Sequence, residues 1–374
     1  MPHSFRLLLN PRHGVPGVVV LPEGGFRRAA AAIRGWPGYA PTPLLDLPDL
    51  AAATGVGAVH YKDEGGRFGL GSFKALGGAY AVSRVLEARR ARHGADAAVT
   101  VCCATDGNHG RAVAWGAQRF GARCVIFVHP GVSQGRRAAI AAFGAEIREV
   151  PGHYDDSVRA ASATAEAEGW SVVSDTSWPG YTEVPRDVMH GYRLMAEEAM
   201  AALPAPPTHV FIQGGVGGVA AAVAVQARLR FGPGPRVVVV EPDRAACLLA
   251  SAEAGAATAV PGELDTVMAG LACGEPSLLA WQELERSAFA FMAVPDAAVA
   301  PAMRLLAGRT PPVVAGESAV AGMIGLQLAA GDAAARAALG LDTASRVLLF
   351  GTEGATDPAV YATMLRAAED ARQV

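Results

Sequence analysis

The feature that most constrains the fold is a repeated alternation along the chain. Short runs rich in β-branched and other apolar residues alternate with Ala-rich stretches, and glycine-containing turns lie between them. The apolar runs occupy residues 97–105, 122–130, 145–152, 208–215, 236–243 and 345–354. Strand, turn and helix in succession are typical of a parallel sheet covered by helices. We therefore expect an α/β fold with two lobes, roughly 97–175 and 208–354, and a ligand cleft at the carboxyl ends of the strands.

Bulk properties narrow the class of protein further. Of 374 residues, 51% are hydrophobic and 18% charged, which is enough apolar material for two lobes. The net charge is −3 and no dense basic block occurs, which argues against nucleic acid or an anionic membrane as a partner. No membrane-length apolar run, secretory leader or metal-ligand spacing is found. The five cysteines include no C-x-x-C pair, so we expect reduced thiols in a cytoplasmic protein.

A lysine follows a glycine-rich stretch in FGLGSFKALGGAYAV, residues 68–82. Lys74 is expected at the N-terminus of a helix, where the helix dipole opposes its positive charge and favours the neutral amine. A neutral amine is the form that makes a Schiff base. Taken alone, the motif is equally typical of a solvated surface lysine.

A second motif, ATDGNHGRAVAW at residues 104–115, is expected to connect a strand to a helix. Its small polar residues and glycines allow backbone N–H groups to point at an anion such as a carboxylate. Thr105, Asp106 and Asn108 are also favoured helix caps, and His109 alone is more typical of a packed histidine than of a base.

A third motif, QGGVGGVAAAVA at residues 213–224, combines a strand end, a glycine turn and a helix start. Such a turn can bind a phosphate group through its backbone amides. It is neither a Walker loop nor a G-x-G-x-x-G dinucleotide fingerprint, and close packing of helix against sheet also explains it.

The last strand ends in FGTEGATDP, residues 350–358. Thr352 or Glu353 is placed to reach a ring nitrogen in the cleft, although a loop cap is an equal explanation of this motif alone.

Together and in this order, the four motifs resemble the fold-type II pyridoxal-phosphate (PLP) enzymes, the group of the tryptophan-synthase β-subunit and threonine dehydratase. The segment PTPL at residues 41–44 also matches that group. The resemblance implies two lobes, each an open, mostly parallel sheet wrapped by helices, with the active site in the cleft between them. It further implies a large PLP-binding domain from residues 1–85 and 190–374 and a small domain from 86–189.

Within that group the chain is most similar to the diaminopropionate ammonia-lyase family. The similarity rests on residues 62–81, 105–115, 174–192 and 268–277 and so covers nearly the whole chain. Asp106 and Asp175 distinguish this family from the ordinary dehydratases, which have a small residue at the position of Asp106. One departure is Ala319 in GESAVAG, where glycine is usual, and we expect slight repacking near the cofactor ring.

The resemblance assigns roles to individual residues. Lys74 is implied as the Schiff-base lysine, Asn108 as the partner of the 3′-oxygen of the ring, and Thr352 or Glu353 as the partner of its nitrogen. The phosphate is expected on the amides of Gly214, Gly215, Val216, Gly217 and Gly218. The substrate is expected to contact Ser72, Thr105, Asp106, His109 and Asp175, with Thr105 at its carboxylate.

The implied reaction is α,β-elimination of 2,3-diaminopropionate to pyruvate and two molecules of ammonia. A carboxylate such as Asp175 would stabilise the β-ammonium of this substrate. The family accepts both enantiomers, which requires bases on opposite faces, Lys74 for the L-isomer and Asp106 for the D-isomer. A hydroxyl at the ring nitrogen would leave the nitrogen unprotonated, which favours prompt elimination over racemisation. Glu353 at that position would imply the opposite preference.

Three alternatives stay open from the sequence. The nearest is a serine/threonine-type dehydratase or another β-eliminating or β-replacing enzyme, against which Asp106 argues because a hydroxyl leaving group carries no cation. A non-catalytic binding protein is disfavoured by the presence of Lys74, Asn108 and the glycine turn. A dinucleotide-dependent dehydrogenase lacks its fingerprint and the acidic ribose residue. The family also implies a homodimer.

Overall fold

The computed structural model describes residues 4–105, 107–152 and 154–366. Its strands are β1 (Arg6–Leu9), β2 (Leu44–Asp46), β3 (Ala58–Asp63), β4 (Thr100–Ala104), β5 (Arg123–Val128), β6 (Glu146–Glu149), β7 (Ser171–Val172), β8 (His209–Gln213), β9 (Arg236–Pro242), β10 (Ala290–Val294) and β11 (Arg346–Gly351).

The α-helices cover both faces of the strands and connect most of them. They are α1 (Glu23–Arg34), α2 (Pro48–Thr54), α3 (Lys74–His93), α4 (Asn108–Phe120), α5 (Gln134–Ala141), α6 (Tyr154–Glu168), α7 (Glu183–Ala202), α8 (Gly218–Phe231), α9 (Cys247–Ala254), α10 (Leu278–Ser287), α11 (Val299–Ala307), α12 (Ala321–Gly331), α13 (Ala333–Leu339) and α14 (Pro358–Arg366). Short 3₁₀ turns occur at Arg67–Gly69, Ala269–Leu271 and Asp296–Ala298. No helix within the described ranges is sufficiently long and apolar to cross a membrane.

The larger sheet has seven strands in the order β1-β10-β9-β8-β11-β3-β2. Its five inner strands run parallel, whereas β1 and β2 pair antiparallel at the two edges. The inner strands β8 and β10 are buried along their whole length. Burial on both faces explains the wholly apolar sequence of β10, whereas β8 has a polar residue at each end, His209 and Gln213. The α/β class and the parallel sheets expected from the sequence are confirmed.

The smaller sheet has four strands in the order β6-β5-β4-β7, all parallel. Its strands lie between residues 100 and 172, and every strand of the larger sheet lies outside that range. On this basis we propose the division into a large domain, 1–85 and 190–374, and a small domain, 86–189. One continuous apolar core joins the two sheets, since Val101 and Ile126 of the smaller sheet belong to the same buried cluster as Val210 of the larger one.

Four buried charged side chains fasten the loop before Lys74 to α7. Lys62 Nζ lies 2.7 Å from Glu198 Oε2, and Arg67 Nη2 lies 2.8 Å from Glu64 Oε1 and 2.7 Å from Glu198 Oε2. Each of these four side chains is at most 3% exposed. Buried charges require such mutual pairing, because an unpaired one would lose its hydration without compensation. The network therefore fixes the segment that leads into α3.

Candidate active site

A cavity lies where the carboxyl ends of the strands of both sheets meet. The start of α3, the turns after β4 and β8, and the segment after β11 all contribute to its wall. Its lining includes Lys74, Thr105, Asn108, His109, Asp175, Gly215, Val216, Gly217, Gly218, Thr352 and Glu353. The structure therefore brings together most of the candidate residues from four motifs that are far apart in the sequence.

Lys74 is the first residue of α3, and its amine forms an ion pair with Asp175. The distance from Lys74 Nζ to Asp175 Oδ2 is 2.5 Å. Burial by itself lowers the pKa of Lys74, but the negative charge of Asp175 outweighs this effect and the net pKa is raised. The expectation that the helix dipole favours the neutral amine is therefore wrong for this geometry. A full opposite charge at hydrogen-bond distance outweighs the partial charge of a helix end.

Asp175 lies in the segment between β7 and α7, and its carboxylate is only 15% exposed. Burial raises the pKa of this carboxyl group, whereas His109 and Lys74 lower it, and the net direction is downward. Asp175 is thus an anion held in a mostly enclosed cavity. Such a group is suited to binding a cation.

His109 lies beside this pair and is oriented by the backbone. Its Nε2 is 2.8 Å from the Val173 carbonyl oxygen, so Nε2 carries a proton that it donates. Its Nδ1 lies 3.7 Å from Asp175 Oδ2 and has no hydrogen-bond partner among the described residues. Burial, assisted by the charge of Lys74, lowers the pKa of His109. His109 therefore has its unprotonated nitrogen on the side of Asp175.

The glycine turn after β8 has two parts. The N–H of Gly214 donates to the Val240 carbonyl oxygen at 2.8 Å, so this amide continues the sheet ladder. Gly215, Val216, Gly217 and Gly218 line the cavity at the N-terminus of α8. Gly217 has φ +96°, a left-handed conformation that favours glycine, and a Cβ at this position would lie 3.0 Å from Ala280 Cβ.

Thr352 and Glu353 differ in how their side chains are engaged. Thr352 Oγ1 accepts a hydrogen bond from Gln213 Nε2 at 3.0 Å and therefore keeps its own proton for donation. Glu353 accepts hydrogen bonds from the side-chain amide of Asn108 and, at 3.1 Å, from the Ser318 backbone N–H. Two donors thus hold the Glu353 carboxylate in place.

The remaining candidates for substrate contact are Thr105, Ser72 and Asp106. Thr105 Oγ1 accepts hydrogen bonds from Gly107 N at 3.1 Å and from Gly110 N at 3.0 Å. This hydroxyl therefore helps to cap the first turn of α4. Ser72 is 2% exposed, and its backbone pairs with that of Glu353. Asp106 lies outside the described residues.

Several cavity residues were not identified from the sequence. They are Arg136, Tyr192, Gln213, Cys273 and Ser318. The Lys74 amine lies 5.8 Å from the centre of the Tyr192 ring, and Arg136 Nη2 lies 2.7 Å from Glu317 Oε1. Gln213 begins the third motif, and Tyr192 and Cys273 lie in stretches that carry the family resemblance, so their segments were recognised although their positions in the cavity were not.

The family model for pyridoxal-phosphate dependent enzymes matches residues 35–350. Diaminopropionate ammonia-lyase from Escherichia coli (strain K12) is 40% identical over 346 residues, covering 87% of each chain. The chain belongs to the diaminopropionate ammonia-lyase family of pyridoxal-phosphate-dependent enzymes. The resemblance expected from the sequence motifs is therefore confirmed.

Solved structures of this family agree with the fold. The crystal structure of Escherichia coli diaminopropionate ammonia lyase in complex with D-serine has a TM-score of 0.91 at 34% identity, covering 99% of this chain and 98% of that one. The complex of the same enzyme with an aminoacrylate-PLP azomethine reaction intermediate has a TM-score of 0.90 at 35% identity, covering 98% of both chains. The likeness thus extends over both sheets.

Proposed function

We propose that this chain is a PLP-dependent ammonia-lyase that eliminates the β-amine of 2,3-diaminopropionate, from either enantiomer, to give pyruvate and two molecules of ammonia. The observation that carries the proposal is the ion pair of Lys74 and Asp175, with 2.5 Å between Nζ and Oδ2, at the wall of a cavity that also contains the glycine turn. Membership of the diaminopropionate ammonia-lyase family supports the same reaction.

The residues of the cavity fit pyridoxal phosphate. Lys74 provides the primary amine, and the turn from Gly215 to Gly218 at the start of α8 provides backbone amides suited to a phosphate. We assign Asn108 to the 3′-oxygen and Thr352 to the ring nitrogen. When bound, pyridoxal phosphate would supply an electron sink that makes the Cα proton of an amino acid acidic. Because the Gly214 amide is used within the sheet, we assign the phosphate to the other four residues of the turn.

Asp175 supports the choice of a diamino substrate. Its carboxylate is paired with the Lys74 ammonium in the structure. When Lys74 acts as the base that takes the Cα proton, its amine must be neutral, so this carboxylate needs another cation, and a β-ammonium supplies one. Asp175 then holds the leaving amine and manages its proton. A hydroxyl leaving group would leave the buried carboxylate without a positive partner.

Two bases serve the two enantiomers in this proposal. Lys74 takes the Cα proton of the L-isomer and Asp106 that of the D-isomer. The substrate carboxylate lies at the N-terminus of α4, where Thr105 shapes the turn through its bonds to Gly107 and Gly110. Ser72 and His109 complete the proposed contacts to the substrate.

We also propose that the enzyme is a cytoplasmic homodimer. Cys102, Cys103 and Cys124 are buried thiols of the smaller sheet, a usage typical of a reducing compartment. Val18 and Val19 are 65% and 78% exposed, which supports burial of this segment by a second copy.

The test compares three substrates at equal enzyme concentration, with pyruvate as the product followed. We expect pyruvate from D- and from L-2,3-diaminopropionate at rates that exceed the rate from L-serine at least tenfold. Asp106→Asn is expected to reduce turnover of the D-isomer selectively. Pyruvate from L-serine with none from either isomer of diaminopropionate would contradict the proposed substrate, and equal losses on both isomers would contradict the assignment of the two bases.

A further inference from the structure

Gln213 is the last residue of β8 and directly precedes the glycine turn. Its side chain is 1% exposed and lines the cavity. Nε2 donates to the Ala319 carbonyl at 2.9 Å, to the Phe350 carbonyl at 2.6 Å and to Thr352 Oγ1 at 3.0 Å. Among the described residues, Gln213 Oε1 has no hydrogen-bond partner. The amide thus acts entirely through its nitrogen.

The surroundings determine which way this amide points. The carbonyl oxygens of Ala319 and Phe350 accept hydrogen bonds and cannot donate them. Rotating the amide by 180° would place Oε1 against both carbonyl oxygens, which is repulsive. The nitrogen must therefore face these two carbonyls, and it consequently also faces Thr352.

The orientation of Gln213 fixes the role of the Thr352 hydroxyl. The amide nitrogen shares its two hydrogens among three acceptors, Ala319 O, Phe350 O and Thr352 Oγ1, and has no lone pair with which to accept. The Thr352 proton is therefore directed to a different acceptor. Thr352 lines the cavity, where the cofactor ring is expected in the proposed function.

We infer that Gln213 is a positioning residue that makes Thr352 a hydrogen-bond donor to the ring nitrogen of pyridoxal phosphate. The inference rests on the proposed function, since it requires the cofactor in this cavity. A ring nitrogen that accepts from a hydroxyl carries no proton and is a weaker electron sink. Gln213 therefore acts through Thr352 to favour departure of the β-substituent over return of a proton to the opposite face of Cα.

The backbone of Ala319 also helps to orient Gln213. Its carbonyl oxygen is one of the two acceptors that orient Gln213, so the segment before α12 contributes through its backbone. The Ala319 side chain is 1% exposed and packs within the core of the larger domain. Three chain segments, the ends of β8 and β11 and the segment before α12, thus meet at one amide nitrogen.

The test is a double-mutant cycle with Gln213→Met and Thr352→Val, alone and combined. The two readouts are the affinity of the apoenzyme for pyridoxal phosphate and the protonation of the ring nitrogen, observed by nitrogen NMR of isotope-labelled cofactor in the holoenzyme. In the wild-type background, Gln213→Met is expected to weaken cofactor binding about fivefold to tenfold and to increase the protonated fraction. In the Thr352→Val background it is expected to change neither.

Controls separate positioning from loss of folding. Thr352→Ser keeps the hydroxyl, so the effect of Gln213→Met should persist in that background. Gln226→Met removes another buried glutamine, bonded to Arg193 in α7, and should leave the ring nitrogen unchanged. If Gln213→Met does not fold, Gln213→Leu is the second variant. It also removes the amide without adding a charge, and the ring nitrogen should become more protonated.

Equal weakening by Gln213→Met with and without the Thr352 hydroxyl would overturn the inference, and so would an unchanged nitrogen signal in both Gln213 variants. A wild-type protein that forms no Lys74-dependent absorbance band with pyridoxal phosphate would instead contradict the proposed function. The two failures are therefore distinguishable.

Discussion

The Lys74 ammonium and the Asp175 carboxylate lie 2.5 Å apart although 101 residues separate them in the sequence. The pair joins the start of α3 to the segment that follows β7 of the smaller sheet. It also sets the charge of both groups, because the pKa of Lys74 is raised and that of Asp175 is lowered. In the proposed function, the nitrogen that reacts with the cofactor is thus held as a cation, with the carboxylate as its counter-ion.

Asp175→Asn should shift the reactivity of Lys74 towards lower pH. Without the carboxylate, burial remains as the main influence and lowers the pKa of the lysine. The rate at which apoenzyme and pyridoxal phosphate develop visible absorbance should then rise at a pH about one unit lower or more than in the wild type. Turnover of diaminopropionate should fall about 100-fold or more, because the β-ammonium loses its partner.

The matched control for this experiment is Asp187→Asn, which removes another largely buried carboxylate, one whose pKa burial raises to about 6. It should leave the pH profile of cofactor binding unchanged. An identical profile in Asp175→Asn and wild type would show that the ion pair does not govern Lys74.

Two glycines of the turn after β8 should separate folding from cofactor binding. A Cβ at Gly218 would have no atom nearer than 3.7 Å, so Gly218→Ala should leave the stability of the apoenzyme nearly unchanged. Gly217 has φ +96°, and Gly217→Ala should cost about 1–2 kcal/mol of unfolding free energy. Both variants should weaken pyridoxal phosphate binding, as measured by titration of the apoenzyme. Full affinity in Gly218→Ala would argue against phosphate contact at this amide.

His190 should make the protein less stable in mild acid. Burial and the charges of Arg193, Arg28 and Arg186 lower its pKa from 6.5 to about 3. Between these values the unfolded chain binds a proton that the folded chain does not, so stability is lost as the pH falls below 6.5. From pH 7 to pH 5 this group should account for about 2 kcal/mol, measured by denaturant unfolding.

His190→Gln should remove most of that pH dependence, whereas His93→Gln, at the exposed C-terminal end of α3, should not. The same loss of stability in wild type and His190→Gln would assign the acid sensitivity to other groups.

The strands that could be predicted are those with a strong local pattern. The runs at 208–215, 236–243 and 345–354 correspond to β8, β9 and β11. They could be predicted because a strand buried on both faces is mostly apolar, and such runs stand out next to glycine-containing or polar turns. The edge strand β1, Arg6–Leu9, has no such signal, since its register depends on pairing with β10 about 280 residues away. Edge pairing of this kind is decided by tertiary contacts that a local pattern does not contain.

In the candidate site too, residues in local motifs could be predicted, whereas properties that depend on residues distant in sequence could not. Lys74, Asn108 and the glycine turn were predicted from motifs whose residues are adjacent in sequence. The raised pKa of Lys74 was not, because it depends on how closely Asp175 approaches in space. Arg136 and Tyr192 also line the cavity. Arg136 lies in ordinary helical sequence and Tyr192 ends a stretch that carries the family resemblance, but only the packing of α5 and α7 shows that both side chains reach the cavity.

The most direct test of the central claim measures ammonium and pyruvate together from 2,3-diaminopropionate, in wild type and in Lys74→Ala. The proposed elimination predicts two ammonium ions for each pyruvate in the wild type, and neither product in the variant, which should also lack the Lys74-dependent absorbance band. One ammonium ion per pyruvate from serine with no turnover of diaminopropionate, or undiminished turnover in Lys74→Ala, would contradict it.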